Sequence, residues 1–180
     1  MKRILAFGAS SSKNSINKTF AHYAASRFKN VEVNLLDLND FEMPIYSIDR
    51  EEENGFPAEA IEFKEHIKAA DAIVISFAEH NGAYTAAFKN IFDWISRIEK
   101  DVWGNKPMLL LGTSPGGRGA STVLNLAFEK FKRMNTNTIA SFSLPSFKMN
   151  FSEEKGIIDP SLASLFNKEF QLIKDLVENG

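Results

Sequence analysis

The chain has 180 residues, 44% hydrophobic and 24% charged, a make-up that suits a globular domain with a sizeable core and excludes a disordered or fibrous chain. A formal net charge of -2 gives no footprint for nucleic acid, and the absence of cysteine excludes disulfides, thiolate nucleophiles and thiolate metal sites. His22, His66 and His80 are widely separated, and no run is apolar over a membrane-spanning length. No metal, nucleic-acid or membrane partner is therefore expected, and the cytoplasm is the default location.

In chain order, Arg3–Phe7 is a short apolar run that predicts a buried strand. The loop from Gly8 to Asn17 follows, and Ile16, Phe20, Tyr23, Ala24 and Phe28 then recur at helical spacing. Val31–Asp37 predicts a second strand. Leu38 to Gly55 has no clean period and is expected to be a long loop, its acidic run Asp49–Glu53 a solvated face. Pro57 predicts a helix start, with Ile61, Phe63 or Lys64, and Ile67–Ala70 along it. Ala72–Phe77 is apolar throughout, as expected of a strand covered on both faces. Phe88, Ile91, Phe92, Ile95 and Ile98 predict an amphipathic helix, and Met108–Thr113 a fourth strand. Val123, Leu124, Ala127, Phe128 and Phe131 mark the next helix, Thr138–Ser143 a weaker fifth strand. Leu162, Leu165, Phe166, Phe170, Ile173 and Val177 mark the last helix.

Strict alternation of strand and helix predicts an α/β fold with parallel strands and right-handed crossovers. Five strands predict a flavodoxin-like three-layer sandwich, sheet order 2-1-3-4-5, as one domain over residues 1–180. Ligands in such sheets sit beyond the carboxyl ends of the strands, where the order switches between strands 1 and 3.

The first loop lies at such an end. A strand, a small-residue turn and a helix start leave amides without intrahelical partners, and the macrodipole there favours an anion. Ser10, Ser11, Ser12 and Ser15 add hydroxyls, Asn17 adds an amide, and no acidic residue precedes Glu32. Neither GxGxxG nor a Walker ending is present, so the loop suits a terminal monophosphate better than a dinucleotide or nucleoside triphosphate. A turn whose serines merely cap the helix has the same composition.

The loop after strand 3, Ala78 to Thr85, contains Asn81-Gly82, a strong turn signal. Such a turn can aim consecutive amides and carbonyls at a flat ring, and it is also an ordinary turn. The loop after strand 4, Ser114 to Ser121, has Gly116, Gly117 and Gly119, which allow close backbone approach to a ligand or simply a flexible connection.

The stretches GASSSKNSIN, EHNGAYTAAFKNIFDW and TSPGGRG together resemble the NADPH-dependent FMN reductase family, and the resemblance covers nearly the whole chain. The second stretch is the most specific. Glu79, Asn81, Lys89, Asn90, Asp93 and Trp94 fall on the family pattern, while Ala78, His80 and Phe88 stand where Pro, Tyr and Leu are usual. Ser10, Ser15 and Asn17 match the family's phosphate contacts, and Ser12 stands where many members have Arg.

The resemblance implies FMN at the carboxyl edge of strands 1, 3 and 4. Its phosphate would meet Ser10, Ser12, Ser15, Ile16 and Asn17, and its ring would lie against Glu79, His80, Asn81 and Gly82. Ser114, Gly116, Gly117 and Gly119 would close the pyrimidine side. NADPH or NADH would deliver hydride and leave before a small-molecule electron acceptor binds, a ping-pong order. The cofactor does the hard chemistry, so no catalytic side chain is nominated. The resemblance further implies a homodimer or homotetramer, with the Leu38–Pro57 loop and the Tyr84 segment as candidates for the site's rim. A flavodoxin-type carrier without nicotinamide turnover is the alternative. A Rossmann dehydrogenase using Asp37 is weaker still, because GxGxxG is missing.

Overall fold

The computed structural model describes residues 1–179. Its sheet comprises β1 (Lys2–Ala9), β2 (Val31–Leu36), β3 (Ala72–Phe77), β4 (Met108–Thr113) and β5 (Ile139–Leu144), all parallel, in the order β2-β1-β3-β4-β5. The two central strands β3, read as apolar throughout, and β4 have every residue buried and begin and end where the sequence places them. Helices cover both faces, which is why these strands show no alternation.

On one face α3 (Ala58–Ala69), α4 (Ala86–Ile98) and α5 (Ser121–Lys132) enclose a core around Phe7, Phe63, Phe77, Phe88 and Phe131. On the other, α1 (Ile16–Ala25) and α7 (Pro160–Asn179) enclose a core around Phe20, Phe142, Phe166 and Phe170. A short helix α6 (Phe147–Asn150) and a hairpin of β6 (Phe151–Ser152) and β7 (Gly156–Ile157) complete this side, and the sequence did not announce them. Phe151 packs edge-on to Tyr23, so the hairpin leans over α1.

Three expectations need correction. Leu38–Gly55 is not a loop throughout: Leu38–Phe41 forms a 3-10 turn and Ile48–Asn54 forms helix α2. Helix α2 buries no residue, so it has no apolar period to read. Polar contacts hold it instead. Ser47 caps Arg50, and Glu51 accepts hydrogen bonds from Tyr46 and Arg97. On α3, Ile61 faces solvent, while Lys64 is fully buried, its Nζ donating to the carbonyls of Asp101 and Val102. On α7, Leu165 is exposed rather than part of the core face.

Candidate functional site

Three loops meet at the carboxyl edge of β1, β3 and β4. The first depends on Gly8. A Cβ there would lie 2.3 Å from the Lys18 amide nitrogen and 2.8 Å from the Asn17 carbonyl carbon, so only glycine lets the start of α1 rest on β1. Ser15 is the N-cap of α1, its Oγ accepting from the Lys18 amide at 3.2 Å. Ser10 Oγ accepts from the Ser12 amide at 3.1 Å. The backbone amides of Ile16 and Asn17 find no acceptor among the described residues. Ser11 and Ser12 stand exposed, Ser10 and Ser15 buried.

The Asn17 side chain faces inward. Its Oδ1 accepts from Ser76 Oγ at 2.7 Å and from the Thr113 amide at 3.2 Å, and its Nδ2 donates to the Thr113 carbonyl at 3.1 Å. One asparagine thus pins the start of α1 to β3 and β4. What it leaves at the helix start is its backbone amide. Lys18, in the first turn, is paired with Asp37. Burial raises the Asp37 pKa, but Lys18 and Asn39 pull it down further, so it lies below the usual carboxylate range.

The second loop is a tight turn. His80 and Ala83 exchange both backbone hydrogen bonds at 3.1 Å, and the two residues between them, Asn81 (φ 53°) and Gly82 (φ 75°), are left-handed. That pattern belongs to Asn-Gly hairpin turns. His80, Asn81 and Gly82 are exposed at the edge. A Cβ on Gly82 would meet only Thr122 Cγ2, at 3.9 Å, so the turn faces open space beside the third loop. Glu79 has a definite task. Its Oε2 accepts from the Val123 amide at 3.0 Å, capping α5, whose own N-cap residue Ala120 offers no side-chain bond. Thr85 caps α4 and also donates to the Ala9 carbonyl at 2.9 Å, tying this loop to β1. A threonine just before an apolar-periodic stretch signals a cap, and sequence reasoning missed it.

The third loop behaves differently. Gly119 (φ 56°) lies against β5: a Cβ there would come within 2.5 Å of Ser143 Oγ and 2.9 Å of the Leu144 carbonyl. The Gly116 carbonyl accepts from the Gly119 and Ser146 amides, and the Ser114 carbonyl accepts from Phe147. Ser114 Oγ also turns back to Gly116. Gly117 alone has nothing near its Cβ position.

The pattern residues on α4 build the rim. Asn90 Oδ1 accepts from the Tyr46 amide, its Nδ2 donates to the Met43 and Pro44 carbonyls, and Trp94 Nε1 donates to Pro44 at 2.7 Å. Lys89 pairs with Asp93 one turn on. This stretch therefore clamps residues 43–46 beside the site. Between clamp and first loop lies a cavity of about 370 Å³ bordered by Ser11, Phe41, Met43, Ala87 and Asn90. Tyr84 packs on Phe77 and Phe88 with its hydroxyl buried and unpartnered, and burial pushes its pKa up to about 12.

The start of α1 thus brings unpaired amides and hydroxyls together, with no acidic residue before Glu32 in the sequence, and two further loops border it. Among the described residues no His, Asp or Glu cluster could hold a metal, and no helix is long and apolar enough to cross a membrane. The profile of the family described as NADPH-dependent FMN reductase matches residues 2–148. The chain belongs to that family.

Among similar curated proteins, a 2-hydroxy-1,4-benzoquinone reductase of a Burkholderia species is 35% identical over 111 residues, 61% of this chain and 58% of the other. A quinone reductase of Escherichia coli K12 is 35% identical over 91 residues, 51% of this chain and 48% of the other. The matched region thus spans about half the length of these relatives. A flavoenzyme NAD(P)H:(acceptor) oxidoreductase from Paracoccus denitrificans superposes with a TM-score of 0.74 at 23% identity, over 99% of this chain and 98% of that one, which establishes the shared fold.

Proposed function

We propose that this chain is an NAD(P)H-dependent FMN oxidoreductase that reduces a quinone or a similar small acceptor. The observation that carries the reading is the start of α1, where the Ile16 and Asn17 amides are unpaired beside Ser10, Ser12 and Ser15. These groups fit the terminal phosphate of FMN: charge-assisted hydrogen bonds from amides and hydroxyls are strong, and the Asp37 carboxylate beside the first turn is paired with Lys18. The Asn81-Gly82 turn and the outer part of the Ser114–Gly119 loop, Gly116 and Gly117, fit the edge of its ring.

Bound FMN would supply hydride acceptance from a nicotinamide and electron delivery to the acceptor. The chain's part is to hold and orient. Asn17 fixes the phosphate seat to β3 and β4, and Glu79 fixes the second loop to the first turn of α5. Both substrates would use the same opening in turn, a ping-pong order. Names of relatives point to quinones, and one relative is an NADPH azoreductase of a Bacillus species. A second copy of the chain completing the site over the clamped Met43–Tyr46 segment fits this reading.

Anaerobic addition of NADPH or NADH to the FMN-loaded protein tests it. Bleaching of the flavin absorbance by either nucleotide, restored by a quinone, is expected. Bound flavin that neither nucleotide bleaches contradicts the reductase and leaves the electron carrier.

A further inference from the structure

Asparagine followed by glycine is a reactive pair. The glycine amide nitrogen can attack the asparagine Cγ, because no Cβ crowds its approach. The new N–C bond closes a succinimide ring, and the side-chain nitrogen leaves as ammonia with the proton that the glycine nitrogen gives up. Water then opens the ring at either carbonyl, to aspartate or to isoaspartate. The step needs water alone.

Two such pairs lie within the described residues, Asn54-Gly55 and Asn81-Gly82, and both are exposed. A third, Asn179-Gly180, reaches outside them. The fold treats the first two in opposite ways. Asn54 ends α2, and the Gly55 amide donates to the Glu51 carbonyl at 2.9 Å. That nitrogen is engaged, and the helix end fixes its direction. The Gly82 amide finds no acceptor among the described residues. Its turn is closed by the two hydrogen bonds of the His80–Ala83 bridge, which is isolated and extends into no ladder. Such a bridge at an exposed edge opens locally at small cost, and the opening lets the Asn81 side chain swing onto its own backbone.

We propose that Asn81 is a self-modification site, at which the free Gly82 amide converts the side-chain amide to a carboxylate, while the same chemistry at Asn54 is held back by the end of α2. Either product puts a charge where Asn81 carried a neutral amide. Isoaspartate also adds a methylene to the backbone, so His80 and Ala83 no longer face each other across the turn. This is the turn read as the edge of the flavin ring. An unloaded molecule would therefore lose it with age, and a bound flavin covering the turn would preserve it. Only that protection rests on the flavin reading.

Incubating the whole protein without flavin in mildly alkaline buffer, with a tryptic map at intervals, tests the proposal. Cleavage after Lys68 and Lys89 yields residues 69–89, in which Asn81 is the one side-chain amide, and cleavage after Arg50 and Lys64 yields residues 51–64, in which Asn54 is the one side-chain amide. The first peptide should gain one mass unit and split into two isobaric peaks, aspartate and isoaspartate. Its gain should run about fivefold or more ahead of the second, the worth of one hydrogen bond to the attacking nitrogen. Asn81→Gln should abolish the gain, and in denaturing guanidinium the two wild-type peptides should react at similar rates. A folded protein whose 69–89 peptide keeps its mass overturns the proposal. So does a 51–64 peptide that reacts as fast, or a rate difference of the same size in guanidinium. Bound FMN should slow the gain at Asn81. An undiminished gain with FMN bound contradicts the ring-edge reading of the turn and not the modification.

Discussion

The first and third loops both begin at the end of a buried strand and both lead into a helix, yet they are built for different tasks. After β1 the glycine serves packing and the amides stay free: Gly8 lets α1 touch the strand, while the backbone amides of Ile16 and Asn17 find no acceptor among the described residues. After β4 most of the backbone is already engaged, because Gly119 is wedged against β5 and the Gly116 carbonyl accepts two amides. Glycine content alone would rank the third loop as the better ligand cradle. Free donors at a helix start rank the first.

The largest effect expected from this contrast comes from two glycines. Gly8→Ala drives a Cβ into the backbone of Lys18, which cannot swing aside. Stability should fall by about 3 kcal/mol or more, at or above the upper end of overpacking costs, and FMN binding should be lost with it. Gly119→Ala should cost about 1–3 kcal/mol through left-handed strain and contact with Leu144. The folded fraction should still bind FMN nearly as before. Urea melts beside flavin titrations read both, and loss of FMN affinity in Gly119→Ala alone would reverse the ranking of the loops.

Gly82→Val sharpens the part played by the second loop. Valine at φ 75° should cost the apo protein about 1–3 kcal/mol of backbone strain, with a larger loss in flavin binding. Wild-type flavin binding and NADPH reduction in this variant would remove the Asn81-Gly82 turn from the site.

A smaller effect separates cap from ligand contact. Ser15→Ala should weaken FMN by about 1–2 kcal/mol, the range of a hydrogen bond to a charged group. It should lower apo stability by about 1 kcal/mol, a cap's worth. A variant that loses stability and keeps its FMN affinity makes the serine a cap only.

How far the sequence carried this account follows from range. Strands β3 and β4 were legible to the residue because burial on both faces leaves a largely apolar run, interrupted only by Ser76 and by Gly112-Thr113 at the end of β4. Helix α2 was hidden because it buries nothing and is held by Glu51, Tyr46 and Arg97. At the site, sequence order was enough to bring three loops to one edge. It could not show which groups stay free there, since that depends on distant partners. The Asn17 side-chain amide looks free until Thr113, 96 residues away, engages it and leaves only the backbone amide unpaired. Likewise the Glu79 carboxylate is engaged by the Val123 amide, 44 residues on, a partner that sequence order does not reveal.

The smallest effect is a pH dependence at the rim. Hydrogen bonds from Arg97 lower the Glu51 pKa, with Tyr46 adding to them. A pKa depressed by folding means that the contact stabilises fully above the ordinary glutamate range and is lost as pH falls through the lowered value. Arg97→Met should therefore melt slightly below the wild type near neutrality, and the two melting curves should converge in acid. Curves that stay parallel down to that range would remove Glu51 as the anchor of α2.

The central claim is that the start of α1 holds a phosphate. Titrating the apo protein with FMN and with riboflavin, which differ only in that group, tests it most directly. The account predicts a markedly smaller Kd for FMN, with the gap narrowing in Ser15→Ala. Equal Kd values for the two flavins would contradict it.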